Sequence, residues 1–215
     1  MIDLHTHTFF SDGSLIPSEL VYRAQNMGYK LIAITDHIDL SNYDFVIPRI
    51  KRVCEVLNRE YDISVIPGAE ITYVPPKMIS PFSLEIRKLG AQIVVVHGET
   101  TVESVPQGTN KAALLSKIDI LAHPGRIFEE DVELARKNGI CLEITSRQGH
   151  CLSNRWVAKV AKKIGAKLVL NTDTHDPEDL IGEKEALNVV KNAGLTEKDL
   201  EEMFENARDI AERRT

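Results

Sequence analysis

The sequence predicts a parallel α/β barrel built as a single domain, and three observations carry that prediction. Seven short apolar runs, at 2–4, 31–34, 64–66, 92–96, 118–121, 140–144 and 167–170, are continuous rather than alternating, as expected of strands covered on both faces. Stretches with helical spacing separate them, and strand–helix alternation of this kind builds a parallel sheet. A length of 215 residues, 43% of them hydrophobic, suits one barrel-sized unit with a substantial core.

Taken in order, the first helix is predicted over 18–27, after a proline suited to a first helical turn. The second, 48–59, carries Ile50, Val53, Cys54 and Leu57 at helical spacing. Further helices are predicted at 83–89, 110–115, 130–138 and 153–164. Four helix-to-strand joins, "QNMGYKLIAI", "IRKLGAQIVVV", "ARKNGICLEI" and "AKKIGAKLVL", share one grammar: a helix end near Lys or Arg, a glycine, then a strand. Glycine supplies the left-handed cap and the cations favour the helix C-terminus. Two helices close the chain. One is predicted at 183–192; the other follows Thr196 and Asp199, which match a capping box, and carries a stripe of Leu200, Met203, Phe204, Ala207 and Ile210. The three prolines of 73–82, "YVPPKMISPF", predict a loop. No linker, low-complexity tract or repeat divides the chain, so one domain is expected over 1–215, both C-terminal helices included.

The formal net charge of −6 argues against broad binding of nucleic acid or an anionic membrane. Aromatic content is 6% and the basic residues are interspersed with acids, so no basic, aromatic-rich run suggests a nucleic-acid track. No stretch approaches the length of a membrane span, and no basic segment followed by an apolar run opens the chain. Cys54, Cys141 and Cys151 form no CxxC pair and are read as reduced thiols, giving the expectation of a cytoplasmic protein. Nothing in the sequence sets an oligomeric state.

The chemistry lies at the strand ends. The first strand runs into His5 and His7, the second into Asp36 and His37, the third into Glu70, the fourth into His97 and the fifth into His123. The sixth carries Glu143, and the seventh ends at Asp173 and His175. Six of the seven histidines sit in these windows. In a barrel all C-terminal strand ends meet on one face, where active sites form. His5 and His7, at i and i+2 on an extended segment, point to the same side, as do Asp173 and His175. Imidazole with carboxylate and no thiolate suits Zn²⁺, Mn²⁺ or Fe²⁺, and there are too many ligands for one ion.

At "DLHTHTFFSDG", "ITDH", "PGAE", "VVHGE", "LAHPGR" and "NTDTH" the chain resembles the PHP (polymerase and histidinol phosphatase) family, with the motifs in family order across nearly the whole length. The resemblance implies a distorted (β/α)7 TIM-like barrel and three divalent metal ions. His5, His7, Glu70 and Asp173 would hold one, and Glu70 would bridge to a second at His97 and His123. Asp12, His37 and His175 would hold the third; some relatives carry histidine in place of Asp12. Among free-standing relatives the chain looks most like the short histidinol-phosphate-phosphatase-like proteins.

The implied activity is hydrolysis of a small phosphomonoester, with no nucleic-acid partner. An exonuclease or cyclic phosphodiesterase is the alternative, and a non-catalytic PHP module the third reading, disfavoured by the complete ligand set. Glu70 is the expected bridge, and Asp36 is a candidate donor of a proton to the leaving alkoxide. Arg126 and Arg147, each just beyond a strand end, are candidate phosphate forks. Glu143 is expected either to orient a ligand or to pair with Arg147. His150, Glu99 and Asp39 are read as loop residues, and Lys111 and Arg155 as surface cations.

Overall fold

The computed structural model describes residues 1–213. Eight strands form one parallel sheet: β1 (Ile2–Asp3), β2 (Leu31–Ile34), β3 (His37–Ile38), β4 (Ser64–Ile71), β5 (Ile93–His97), β6 (Ile120–Ala122), β7 (Cys141–Thr145) and β8 (Leu168–Asn171). The sheet order is β1-β2-β4-β5-β6-β7-β8, with β3 also paired to β4. Sequence reasoning missed β3 because it is only two residues long. It does not add a barrel position. β4 runs on to Ile71, so β2 pairs with its first half, Ser64 to Pro67, and β3 with Glu70 and Ile71.

The seam between the first and last strands closes with little ladder. Thr6 bridges Thr174; the His7 N–H donates to the Thr174 carbonyl at 2.8 Å, and the Asp173 N–H to the His5 carbonyl at 3.0 Å. Side chains supply the rest. Buried Asp3 accepts from the Thr172 hydroxyl at 2.6 Å and from the Thr172 N–H, while Asn171 Oδ1 accepts from the Leu4 N–H at 2.8 Å.

Eight helices cover the sheet: α1 (Pro17–Asn26), α2 (Tyr43–Glu60), α3 (Pro76–Leu89), α4 (Thr109–Leu114), α5 (Glu129–Asn138), α6 (Asn154–Ile164), α7 (Glu183–Asn192) and α8 (Glu197–Glu212). Two depart from expectation for one reason. Pro48 lies inside α2 rather than at its start, and most of the predicted 73–82 loop belongs to α3, with Pro81 inside it. Each proline is the sixth residue of its helix, so only one early backbone donor is lost. Pro75 and Pro76 occupy the N-cap and first helical position, where no donor is needed. Burial of Ile79, Phe82 and Ile86 on α3, and of Val46, Ile47 and Ile50 on α2, outweighs the interruption.

The core has two layers. Most apolar residues lie between sheet and helices; a smaller set, including Leu4, Ala33, Ile66, Ile93, Val95, Ile120, Cys141 and Val169, fills the barrel interior and packs against Ala207, Ile210 and Ala211 of α8. Asn206 on α8 donates to the carbonyl of Leu168, the first residue of β8, at 2.9 Å. α8 therefore packs against the strand beginnings and leaves the opposite end for chemistry. The interior parity continues along each strand: two residues on from Ile66, Val95, Cys141 and Val169 come Gly68, His97, Glu143 and Asn171, and Glu70 follows Gly68. Among the described residues no helix is long and apolar enough to cross a membrane. Cys54, Cys141 and Cys151 are all free thiols.

Candidate metal centre

The strand ends bring all nine expected ligand residues into one cluster. His5 Nε2 lies 3.3 Å from Glu70 Oε2 and 3.6 Å from Asp173 Oδ1; His7 Nε2 lies 3.6 Å and 3.2 Å from the same two oxygens. His123 Nε2 is 3.8 Å from Glu70 Oε1 and 3.6 Å from Asp173 Oδ2. The His97 ring stands 4.4 Å from that of His123, centroid to centroid. On the other side, Asp12 Oδ1 is 3.6 Å from His37 Nε2 and 3.2 Å from His175 Nε2, and the His7 ring lies 4.2 Å from both histidine rings. Ligand atoms fall into three compact groups: His5, His7 and Glu70; His5, His123 and Asp173; His7, Asp12, His37 and His175.

These contacts are not ordinary hydrogen bonds. His5 Nε2, both nitrogens of His7 and Oε1 of Glu70 are buried without a hydrogen-bond partner, while Oε2 of Glu70 lies 2.7 Å from Nδ1 of His37. Unpaired buried polar atoms are costly. Two ligands about 2.1 Å from a shared tetrahedral ion lie roughly 3.4 Å apart, so the spacing matches donors aimed at common centres rather than at each other. The donor set fits divalent metal.

The neighbouring groups hold these donors in place. Glu143 Oε1 lies 2.8 Å from His5 Nδ1 and accepts from Asn171 Nδ2 at 2.8 Å; its Oε2 accepts from the His123 N–H at 3.0 Å. Nδ1 of His175 donates to the Asp173 carbonyl at 2.9 Å, Nδ1 of His97 to the Gly98 carbonyl at 3.1 Å, and Nδ1 of His37 is bonded to the Thr72 hydroxyl at 2.6 Å. Fixing one ring nitrogen leaves the other to face the cluster. Two of the expected ligand residues sit in left-handed backbone, His123 with φ 25° and Asp173 with φ 56°, a conformation non-glycine residues reach only when their surroundings enforce it. Asp12 reaches the cluster because the 8–13 segment folds tightly onto the strand: a Cβ on Gly13 would meet the His7 carbonyl carbon and oxygen at 2.7 Å.

Electrostatics divide the histidines of the cluster into two sets: burial lowers His7 and His123, whereas at His5 and His37 burial is outweighed by neighbouring carboxylates, Glu143 and Glu70 for His5 and Glu70 for His37. Burial would raise the Glu70 carboxyl, but His5 and His37 hold it well below the usual carboxylate range. Burial pushes Asp173 up to about 7, against the pull of His5. Burial, reinforced by His37 for one and His97 for the other, keeps His7 and His123 well below the usual imidazole range and therefore neutral, the form with a lone pair to donate. For His37, burial is outweighed by Glu70 and the imidazole rises to about 9.

Other expected residues lie elsewhere. The Asp36 carboxylate accepts three hydrogen bonds: Oδ1 from the Thr8 N–H at 2.7 Å and the Ser11 hydroxyl at 2.8 Å, and Oδ2 from the Thr8 hydroxyl at 2.8 Å. It braces the segment that carries Asp12. Arg147 donates to Asp179 at 2.6 Å, and the same Asp179 oxygen accepts from the His175 N–H at 2.9 Å. Arg147 thus steadies the His175 turn, and Glu143 is not its partner. Arg126 is exposed, without a polar partner among the described residues, and lines a groove outside the cluster. Glu99 caps the backbone of Gly108 and Asn110, and Asp39 that of Ser41.

Two residues were missed. His150 is buried with its ring 4.3 Å from that of His123, and Glu103 Oε2 lies 3.5 Å from His97 Nε2 and 3.9 Å from His150 Nε2. His150 follows β7 by five residues, too far from the strand end for the spacing argument to include it.

A parallel barrel with His, Asp and Glu clusters at its strand ends defines a class of metal-site protein. Comparison narrows it: the chain belongs to the PHP domain family, whose model matches residues 3–117. It is 51% identical over 93% of its length to an uncharacterized protein of Methanocaldococcus jannaschii, covering 92% of that protein. A DNA polymerase/3′-5′ exonuclease PolX of Bacillus subtilis is 28% identical over 91% of this chain, which spans 37% of that protein. A probable phosphatase of Thermoanaerobacter sp. strain X514 is also 28% identical, over 92% of this chain and 88% of its own. Among solved structures, a chain of archaeal ribonuclease P with mature tRNA superposes with TM-score 0.74 at 19% identity, over 100% of this chain and 91% of that one. Histidinol phosphate phosphatase from Lactococcus lactis, complexed with zinc, L-histidinol and phosphate, gives TM-score 0.64 at 17% identity, over 90% and 94%. Both share the fold.

Proposed function

We propose that the chain is a metal-dependent phosphoric ester hydrolase that cleaves a small phosphomonoester at a site of three divalent ions. The observation that carries this reading is the set of buried donors without hydrogen-bond partners on His5, His7 and Glu70, ringed by Asp173 and His123. The names of relatives called probable phosphatases support it. His5, His7, Glu70 and Asp173 would hold one ion, His97 and His123 with Glu70 a second, and Asp12, His37 and His175 the third. When bound, such ions supply Lewis-acid charge and lower the pKa of water towards neutrality.

The chain's own groups do the positioning. Glu70 presents one oxygen to His5 and His7 and the other to His123, so a single carboxylate joins two positions. Glu143 fixes the His5 ring and the His123 backbone together. Asp36, which accepts from the Thr8 N–H and from the Thr8 and Ser11 hydroxyls, is a positioning residue for the Asp12 segment. The test is hydrolysis of p-nitrophenyl phosphate and a panel of metabolite monoesters by protein loaded with Zn²⁺, Mn²⁺ or Fe²⁺ and checked by elemental analysis. Turnover that depends on the loaded metal is expected; oligonucleotides cleaved faster than every monoester would replace the reading with the exonuclease one.

A further inference from the structure

Of the nine expected ligand residues, eight fall within the three compact groups of donor atoms, and among the described residues only His97 falls in none of them. Its Nδ1 is turned to the Gly98 carbonyl at 3.1 Å. Its Nε2 faces a carboxylate that lies outside every strand-end motif: Oε2 of Glu103, 3.5 Å away. The same oxygen is 3.9 Å from Nε2 of His150. Both separations are long for a hydrogen bond. The shorter one is close to the roughly 3.4 Å between two ligands of one tetrahedral ion.

Glu103 is held as a ligand would be. Its other oxygen, Oε1, accepts from the Tyr73 hydroxyl at 3.1 Å, which leaves Oε2 to face the imidazoles. Carboxylates that bind metal are commonly oriented by such a hydrogen bond. Tyr73 lies two residues beyond β4 in left-handed backbone, φ 56°, and its ring is stacked towards that of His97 at 6.4 Å. The loop that carries Glu103 is tied down on both sides. Glu99 Oε1 accepts from the Gly108 and Asn110 N–H groups at 3.0 Å and 2.9 Å, and Val102 packs over Gly149, next to His150. His150 is 8% exposed and its Nδ1 has no hydrogen-bond partner. The Glu103 side chain is 42% exposed, so water is within its reach, yet the loop and Tyr73 turn one oxygen inwards to His97.

We propose that Glu103 is a further metal ligand of this chain, its Oε2 joining His97 Nε2 on the second divalent ion of the proposed site. The inference rests on the three-ion reading and adds a residue to it. His97, His123 and Glu70 alone give that ion three protein donors; Glu103 supplies a fourth, the usual number for a tetrahedral site, and offsets one unit of its charge. An ion pair between Glu103 and a protonated His97 would also bring the two side chains together, but it has the opposite consequence. Metal binding would then have to break the pair, and removing Glu103 would tighten the ion instead of loosening it.

The sign of that change is the test. Metal-free protein is titrated with Zn²⁺ by calorimetry, with elemental analysis after desalting and p-nitrophenyl phosphate hydrolysis in parallel, for the parent chain, Glu103→Gln and Tyr73→Phe. Melting curves of the metal-free variants check that they fold. Expected is a loss of at least tenfold in affinity for one ion in Glu103→Gln, with the other two unchanged, and a two- to fivefold loss for the same ion in Tyr73→Phe. Equal or tighter binding in Glu103→Gln overturns the assignment. Should Glu103→Gln not fold, Tyr73→Phe decides, and unchanged affinity there overturns it. Zn²⁺ binding that depends on Glu103, without hydrolysis of any ester, upholds the ligand and overturns the hydrolase reading. Hydrolysis by the parent chain with unchanged affinities in both variants overturns the ligand and leaves that reading standing. A parent chain that binds no Zn²⁺ overturns both.

Discussion

Glu143 lies 2.8 Å from Nδ1 of His5, both side chains fully buried, at the point where the last strands of the barrel meet the first. Its other oxygen holds the backbone of His123. Removing it frees two of the proposed ligands at once. Glu143→Ala is expected to lower metal affinity and turnover by about 10- to 100-fold, measured by metal titration with elemental analysis alongside hydrolysis. Wild-type affinity in a folded variant would show that His5 orients itself.

Chelation should lower the melting temperature and restoration of Zn²⁺, Mn²⁺ or Fe²⁺ should raise it again. At free metal about 100 times its dissociation constant, one ion contributes about 2.7 kcal/mol. A melting curve that ignores metal content would contradict a bound ion in the folded state.

Asp12 is the one carboxylate beside His37 and His175 that stands partly in solvent, its side chain 59% exposed. Asp12→Ala should remove one ion per chain and most turnover, while Asp12→His retains part of both. Elemental analysis of the purified variants decides this independently of activity.

Arg147 is expected to act through Asp179 rather than on phosphate. The pair is part-exposed, so its direct contribution to stability is small, within about 1 kcal/mol. Arg147→Ala and Asp179→Asn should weaken binding at the Asp12–His37–His175 position to a similar degree, and the double variant should be little worse than either. Additive losses would mean that Arg147 has a separate role on substrate.

The capping box at Thr196 stabilises α8 away from the chemistry: Thr196 accepts from the Asp199 N–H at 3.3 Å, and the Thr196 N–H donates back to the Asp199 carboxylate at 2.8 Å. Thr196→Ala should cost about 1 kcal/mol, a fall of roughly 2–4 °C in Tm, with kcat unchanged. Burial works against the Asp199 anion, but Lys162 and Thr196 hold its carboxyl below the ordinary value. Its contribution is therefore present above the unfolded carboxylate pKa of about 3.9 and fades as pH falls through the lower folded value. The Tm difference between variant and parent should narrow in that acidic window.

The strands and the convergence of their ends were readable because apolar runs covered on both faces stay continuous and histidine is scarce enough to stand out. The glycines closing the four joins, Gly28, Gly90, Gly139 and Gly165, do take positive φ. Proline misled at α2 and α3 because its local penalty is fixed whereas burial of a helix face is set by tertiary packing. His150 and Glu103 escaped because loops, unlike strands, have no period that says where a side chain points. The groove lined by Arg126, Phe128, Arg155, Trp156 and Lys159 was invisible for a related reason: its first two residues lie 27 to 33 positions from the other three, so no run announces it.

The seam between β1 and β8 sets a timetable. His5 and His7 leave the ribosome some 165 to 170 residues before Asp173 and His175, which lie against them in the folded cluster. The opening strand must wait, exposed or loosely held, until nearly the whole barrel has been synthesised. A metal ion meeting the nascent chain early finds a two-histidine chelate and nothing more. Loading of the full cluster therefore belongs after the eighth strand has emerged, and closing the barrel and completing the site are one event.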